Sequence, residues 1–276
     1  MSLPPVPESF RWDSTSSGLV LRCGPLESIA PHLFTTRNVP ISSPEEWSAV
    51  ARLIGATDAV TLNQVHGREV VTIRSFEAGS TGPGLHATGP GLHALHPRSD
   101  ADALVSNDPR VAIAVRAADC VPLLLVDSKT GAVAAVHAGW RGTAAGVAGT
   151  AVEAMSREFA AHPQDLVAAI GPSIGPCCYE VGSELVDTFA AEGHPRHLID
   201  RWFSRPKREA DASRRPGEKL YLDVPGANRD QLVLAGVPED QIYLSGLCTA
   251  MHLDVLTSYR MEKAQAGRMA GVIRAR

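Results

Sequence analysis

The chain lacks any apolar run long enough to cross a bilayer: its longest strongly apolar stretch covers 121–126, against the roughly 20 residues that a spanning helix needs. No secretory signal is expected either, since the opening MSLPPVPESFRWDS has neither a basic start nor an apolar stretch of about seven residues. There is no basic excess: 26 Lys+Arg stand against 30 Asp+Glu, for a net charge of −4. Lys and Arg form no long run, so nothing supplies the field that holds a nucleic-acid backbone. These absences argue against a membrane-spanning segment and a general nucleic-acid partner, and the expected location is the cytoplasm. Five cysteines, an odd number, make no even-numbered disulfide framework, and a chain of this length needs none. Missing too are Cys-x-x-Cys pairs, the His-x-Glu and Pro-Cys-x-x-Cys strings of zinc nucleobase deaminases, a Gly-x-Gly-x-x-Gly turn, a P-loop and His-Glu-x-x-His.

What is present is a globular composition, 44% hydrophobic and 20% charged over 276 residues, with no break that separates two domains. The first forty residues are rich in Pro and Ser. Ser43-Pro44-Glu45-Glu46 supplies an N-cap, a proline at N1 and a capping-box glutamate, which predicts a short helix stopped at Gly55. A strand is expected at 70–73. Residues 79–100 then hold a tandem repeat, GPGLHAT followed by GPGLHAL, too few copies for a solenoid and therefore a loop insertion. Near-continuous apolar strands follow at 103–106, 111–115, 121–126 and 133–137, which implies a sheet covered on both faces. Ala144, Val147, Ala148, Ala151, Met155 and Phe159 recur at helical spacing. A strand at 166–170, helices near 180–191 and 226–235, a charged loop at 204–219, and closing strands at 242–244 and 269–273 complete the pattern.

Three strings draw attention as chemistry. In Val136-His137-Ala138-Gly139-Trp140-Arg141-Gly142-Thr143 a histidine ends an apolar strand and an arginine opens a helix, a setting that favours anions such as phosphate. In Arg116-Ala117-Ala118-Asp119-Cys120 charged groups between buried strands need partners. If the strands at 111–115, 121–126 and 133–137 are neighbours, Cys120 approaches His137, as a thiolate–imidazole nucleophile pair or as two metal ligands. The residues alone leave both readings open. Leu62-Asn63-Gln64-Val65-His66-Gly67 offers a further histidine, which taken singly reads as an ordinary surface residue. The vicinal Cys177-Cys178 lacks the spacing of a redox or structural-zinc motif.

Together these strings resemble the laccase-domain family, variously called polyphenol oxidase, peptidoglycan editing factor and purine nucleoside phosphorylase. The matching pieces include Gln64-Val65-His66-Gly67, Asp102-Ala103-Leu104-Val105, Arg116 through Leu123, His137 through Gly142, Cys178-Tyr179-Glu180-Val181-Gly182, Cys248-Thr249 and Ser258-Tyr259-Arg260. The resemblance implies a single α/β domain, a layered α-β-β-α sandwich, with 34–276 as the catalytic domain and 1–33 as an N-terminal extension carrying the first strand. It implies zinc held by His66, Cys120 and His137, with Asp119 orienting a ligand or shuttling a proton. Substrate and phosphate contacts fall on Arg37, Gln64, Arg116, Arg141, Thr143 and Arg260. Two imidazoles and one thiolate match a catalytic zinc with its fourth position open; Cu(II) competes at such a site. The implied partners are a purine nucleoside and inorganic phosphate: phosphorolysis of adenosine, inosine, guanosine and methylthioadenosine, with adenosine deamination. The alternative is a cytoplasmic peptidoglycan-precursor hydrolase using Cys120 and His137. A multicopper polyphenol oxidase is disfavoured, because none of the ten histidines lies two positions from another. Three departures stand out: Arg37 runs into Asn38-Val39-Pro40 where the family has a Gly-Gly pair, Met261 replaces a second arginine, and 79–100 is extra.

Overall fold

The computed structural model describes residues 3–75, 85–86, 99–204 and 220–276. The expected loops at 79–100 and 204–219 lie almost wholly outside them. Among the described residues, strands that are apolar on both faces build two large sheets. The first has six strands in the order β1 (Phe10–Thr15), β2 (Gly18–Cys23), β3 (His32–Thr35), β16 (Met269–Arg274), β8 (Val111–Ala117) and β4 (Asp58–Val60). The second has seven: β15 (Ile242–Leu244), β11 (Leu166–Ile170), β9 (Val121–Asp127), β10 (Val133–Ala138), β7 (Ala103–Ser106), β5 (Val70–Arg74) and β6 (Leu85–His86). A small third sheet joins β12 (Glu180–Val181), β14 (Leu220–Leu222) and β13 (Phe203–Ser204).

The period of two along each strand decides what faces what. Ile113 and Val115 of β8, Leu124 and Val126 of β9, and Val133 and Ala135 of β10 share one buried cluster between the sheets. The alternate residues of β8, Ala112 and Ala114, pack with Trp47, Val50 and Ala51 of helix α2 (Pro44–Arg52); a short turn, α1 (Gly24–Glu27), precedes it. Leu123 and Leu125 of β9 face the opposite way, into a cluster with helix α4 (Val147–Phe159), which follows the short α3 (Trp140–Ala144). Helices α5 (Glu184–Ala191), α6 (Arg196–Trp202) and α7 (Val224–Leu234) add Phe189, Trp202 and Leu232 to that layer. Helix α8 (Tyr259–Glu262) lies near the C-terminus.

The capping box of α2 forms as its sequence predicts, Ser43 accepting from the Glu46 N–H while the Glu46 carboxylate accepts from the Ser43 N–H. Four expectations change. The helical stretch through 144–159 is interrupted at Gly146, whose φ of +79° sits in the left-handed region open to glycine. The helix near 180–191 starts at Glu184, because Glu180 and Val181 pair with β14. Residues 1–33 supply two complete strands to the first sheet, and their boundary cuts through β3. Finally β8 is not a neighbour of β9: it belongs to the other sheet, so Ala118, Asp119 and Cys120 form the crossing between sheets.

Candidate functional site

The site is assembled around a carboxylate. Asp102 directly precedes β7 and is wholly buried, so its charge requires partners. The N–H groups of Val65, His66 and Gly67 donate to it at 3.2, 3.0 and 2.6 Å. His137, near the end of β10, approaches with Nδ1 at 2.7 Å. These bonds place the Asp102 carboxyl below the usual carboxylate range: burial raises it, and the bonds from His137 and the Gly67 and His66 amides outweigh that. They also hold the turn in which His66 adopts φ +63°, an uncommon conformation for a residue with a Cβ.

With Nδ1 committed to Asp102, the other nitrogen of His137 is left for Cys120. The donor atoms of His66, Cys120 and His137 all lie within 4.8 Å of one another, and the two imidazoles meet edge to face with centroids 4.9 Å apart. Burial raises the Cys120 thiol, but hydrogen bonds and charge from His137 and His66 outweigh it and hold the pKa down at about 6. Burial lowers His137, yet the Asp102 and Cys120 partners bring it up to about 9. Beside them Gly139 is required for space: a Cβ there would stand 2.9 Å from Cys120 Sγ and 3.0 Å from His66 Cδ2.

The cluster opens on a cleft of about 750 Å³. Arg116, Arg141, Arg260, Lys263 and Arg268 line it. Two of these cations lie against aromatic faces, Arg141 at 4.3 Å over Trp140 and Arg260 at 5.0 Å over Tyr179, contacts that hold guanidinium groups in place. Asp119 is the one carboxylate among the lining residues described. Its oxygens accept from Thr249 Oγ1 and the Arg260 N–H, both at 2.6 Å, while its own φ is +88°.

Of the residues expected here, His66, Cys120, His137, Asp119, Gln64, Arg116, Arg141 and Arg260 converge on the cleft. Gln64 uses its amide on the β8 backbone, donating to Arg116 O at 2.7 Å and accepting from Arg116 N at 2.8 Å, which ties the His66 turn to the other sheet. Arg37 and Thr143 sit elsewhere. Arg37 does not line the cleft; it donates to the carbonyl of Leu253 and to Glu262 Oε1, joining the end of β3 to α8. The Thr143 amide, expected to meet phosphate, donates to Gly139 O at 2.8 Å and closes the first turn of α3. Its hydroxyl accepts from Asn228 Nδ2 at 2.9 Å, with no exposure to the cleft. Asp102, Gly139, Tyr179 and Thr249 were not singled out as site residues from the sequence. Asp102 carried a usable signal, a carboxylate directly ahead of a strand apolar on both faces.

Comparison with known proteins shows what the chain resembles. The chain is 33% identical to a Deinococcus radiodurans purine nucleoside phosphorylase over 94% of both chains. It is 38% identical to a Bacteroides thetaiotaomicron purine nucleoside phosphorylase over 61% of this chain, a match that spans 58% of that protein's length. It is 39% identical to adenosine deaminase RL5, from an unknown prokaryotic organism, over 60% of this chain and 59% of that one. The crystal structure of YlmD from Geobacillus stearothermophilus superposes with a TM-score of 0.74 at 29% identity, covering 98% of this chain and all of that one. This is a mixed α/β single-domain fold. The model of the multi-copper polyphenol oxidoreductase laccase family matches residues 34–276, and the chain belongs to that family.

Proposed function

We propose that the chain is a zinc-dependent purine nucleoside phosphorylase, acting on adenosine, inosine, guanosine and methylthioadenosine, with adenosine deaminase activity. The observation that carries this reading is a Cys/His₂ donor cluster in the lining of a cleft that five cations also line. The donors fit zinc in number and chemistry, and Asp102 fixes His137 as carboxylates fix metal-binding imidazoles elsewhere. His66, Cys120 and His137 would hold the metal, which when bound supplies Lewis acidity to the group that meets it. The chain's own residues do the rest. Arg141 and Arg260, preset by their aromatic neighbours, orient phosphate for attack on the ribose anomeric carbon, and the glycosidic bond breaks to release the base. Arg116, Lys263 and Arg268 add to the positive potential that draws the anion in. Asp119 positions Arg260 through its backbone N–H. In the deamination, water replaces the amino group of adenine. The same reading takes 34–276 as a cytoplasmic catalytic domain with 1–33 extending it, layered α-β-β-α, in keeping with its buried clusters.

The test is product separation after incubating metal-quantified protein with adenosine, with and without phosphate. Adenine formed only with phosphate marks phosphorolysis, and inosine formed in both marks deamination. Neither product, at one zinc per chain, overturns the proposal. A second reading is favoured by one observation: Cys120, His137 and Asp102 form a chain of thiol, imidazole and carboxylate, the arrangement of a cysteine hydrolase. It fits a peptidoglycan-precursor hydrolase. Alkylation separates the two, since a zinc thiolate is protected by metal whereas a catalytic nucleophile is inactivated whether or not metal is added.

A further inference from the structure

The vicinal pair Cys177-Cys178, which no feature of the cleft chemistry uses, is not isolated. The loop after β11 and the segment after β15 run side by side: Ser173 N donates to Leu247 O at 3.2 Å and Thr249 N to Ser173 O at 3.0 Å, a parallel bridge pairing Ser173 with Cys248. This alignment brings Cys248 against the pair from 70 positions away in sequence. The three sulfur atoms lie within 4.8 Å of one another, and all three thiols are free. The Gly175 N–H points at Cys248 Sγ at 3.3 Å, a donor suited to a sulfur carrying negative charge. Cys177 is exposed and shares with Cys248 the wall of a hollow of about 250 Å³, which gives an ion a way in.

We propose that Cys177, Cys178 and Cys248 form a second metal site, a three-sulfur seat for a soft d¹⁰ cation, Cu(I) in preference to Zn(II). Sulfur ligands select Cu(I) and zinc over harder ions. Structural zinc takes four ligands, and among the described residues no fourth His, Cys, Asp or Glu joins this group. Asp223, on the wall of the same hollow, is engaged in capping α7 through the Gly226 N–H at 2.9 Å. Three sulfurs without a fourth donor suit Cu(I). A disulfide within the pair is a poor alternative, because adjacent Cα atoms stand about 3.8 Å apart, short of the roughly 4.4–6.8 Å that disulfides span. The ion would clamp two segments that each end at the cleft: Tyr179 follows Cys178, and Thr249, which bonds Asp119, follows Cys248. The site does not depend on the reaction carried out at Cys120.

The experiment uses the full chain carrying Cys120→Ala, which removes the first donor cluster. The reduced protein is titrated anaerobically with Cu(I) against a chromophoric chelator, and in parallel with Zn(II). The expected result is one Cu(I) per chain, with three sulfur neighbours by X-ray absorption and a raised Tm. Adding Cys177→Ser, at an exposed position where folding is not at stake, should weaken binding by more than the roughly 10–100-fold that losing a supporting hydrogen bond costs a metal site; the Tm rise should vanish with it. Binding unchanged by Cys177→Ser and by Cys248→Ala, or no uptake at all, overturns the site. Zn(II) displacing Cu(I) at equal concentration overturns the stated preference.

Discussion

Asp102 shows what one buried charge does when every lone pair is used. Its oxygens hold three consecutive backbone N–H groups and the His137 ring, so one side chain fixes both the turn that presents His66 and the face that His137 turns to Cys120. Asp102→Asn keeps the shape and removes the charge. On the proposed zinc reading, its zinc affinity should fall roughly 10–100-fold, the usual cost of losing the partner of a metal-binding imidazole, in a chelator competition assay; unchanged affinity would show that His137 needs no such support. Gly139→Ala tests space where Asp102→Asn tests charge. Its methyl would sit 2.9 Å from Cys120 Sγ, so the three donors must spread, and metal analysis should find the purified variant depleted of zinc while circular dichroism stays unchanged. At this scale the sequence was only half legible. His137 and Cys120 stood out because each adjoins a long apolar strand, whereas His66 looked ordinary because what makes it special, the bond to Asp102 36 positions away, is a tertiary contact.

Strands and helices were the most legible layer, since burial on both faces writes near-continuous apolar runs and capping writes Ser-Pro-Glu-Glu. Which sheet β8 joins stayed open for the same reason that the strands were easy to find. A strand apolar on both faces carries no mark of which sheet it joins, and only the register of β8 against β16 and β4 settles it. The first sheet also holds a titrating group. His32 of β3 is fully buried, its Nε2 accepting from the Cys23 N–H at 3.0 Å and its Nδ1–H donating to Ala30 O at 3.1 Å. Only the neutral ring can accept from the Cys23 N–H while donating to Ala30 O, and burial pushes its pKa from 6.5 down to about 4. The unfolded chain therefore takes up a proton before the native chain does. Stability from this residue is complete above about pH 6.5 and is lost as pH falls toward 4, a change of about 3 kcal/mol. Urea denaturation at pH 7 and 4.5 should show that difference in the native sequence and a much smaller one in His32→Asn. Equal pH dependence in both would remove His32 as the cause.

The molecule as a whole is closed by its last strand. β16 lies between β3 and β8 and is antiparallel to both, so residues 269–274 join the N-terminal strands of the first sheet to the part that carries Arg116 toward the cleft. No local signal gives this: an alternating segment near a C-terminus reads equally well as an edge strand. Its position has an energetic consequence. Met269, Val272 and Ile273 are each no more than 3% exposed, and at roughly 1.5–3 kcal/mol per fully buried side chain they contribute some 5–9 kcal/mol. That is comparable with the 5–15 kcal/mol by which a whole domain is typically stable, before the ladder bonds left open on β3 and β8 are considered. Deleting 269–276 should therefore abolish cooperative thermal unfolding and the proposed zinc binding together. Deleting 1–15, which takes the edge strand β1 and leaves β2 to β16 paired, should lower Tm while a single transition and one zinc per chain remain. Calorimetry with metal analysis on the two truncations separates the cases: a cooperative, zinc-loaded chain without β16 would mean that the two halves of the first sheet are held by the facing sheet alone.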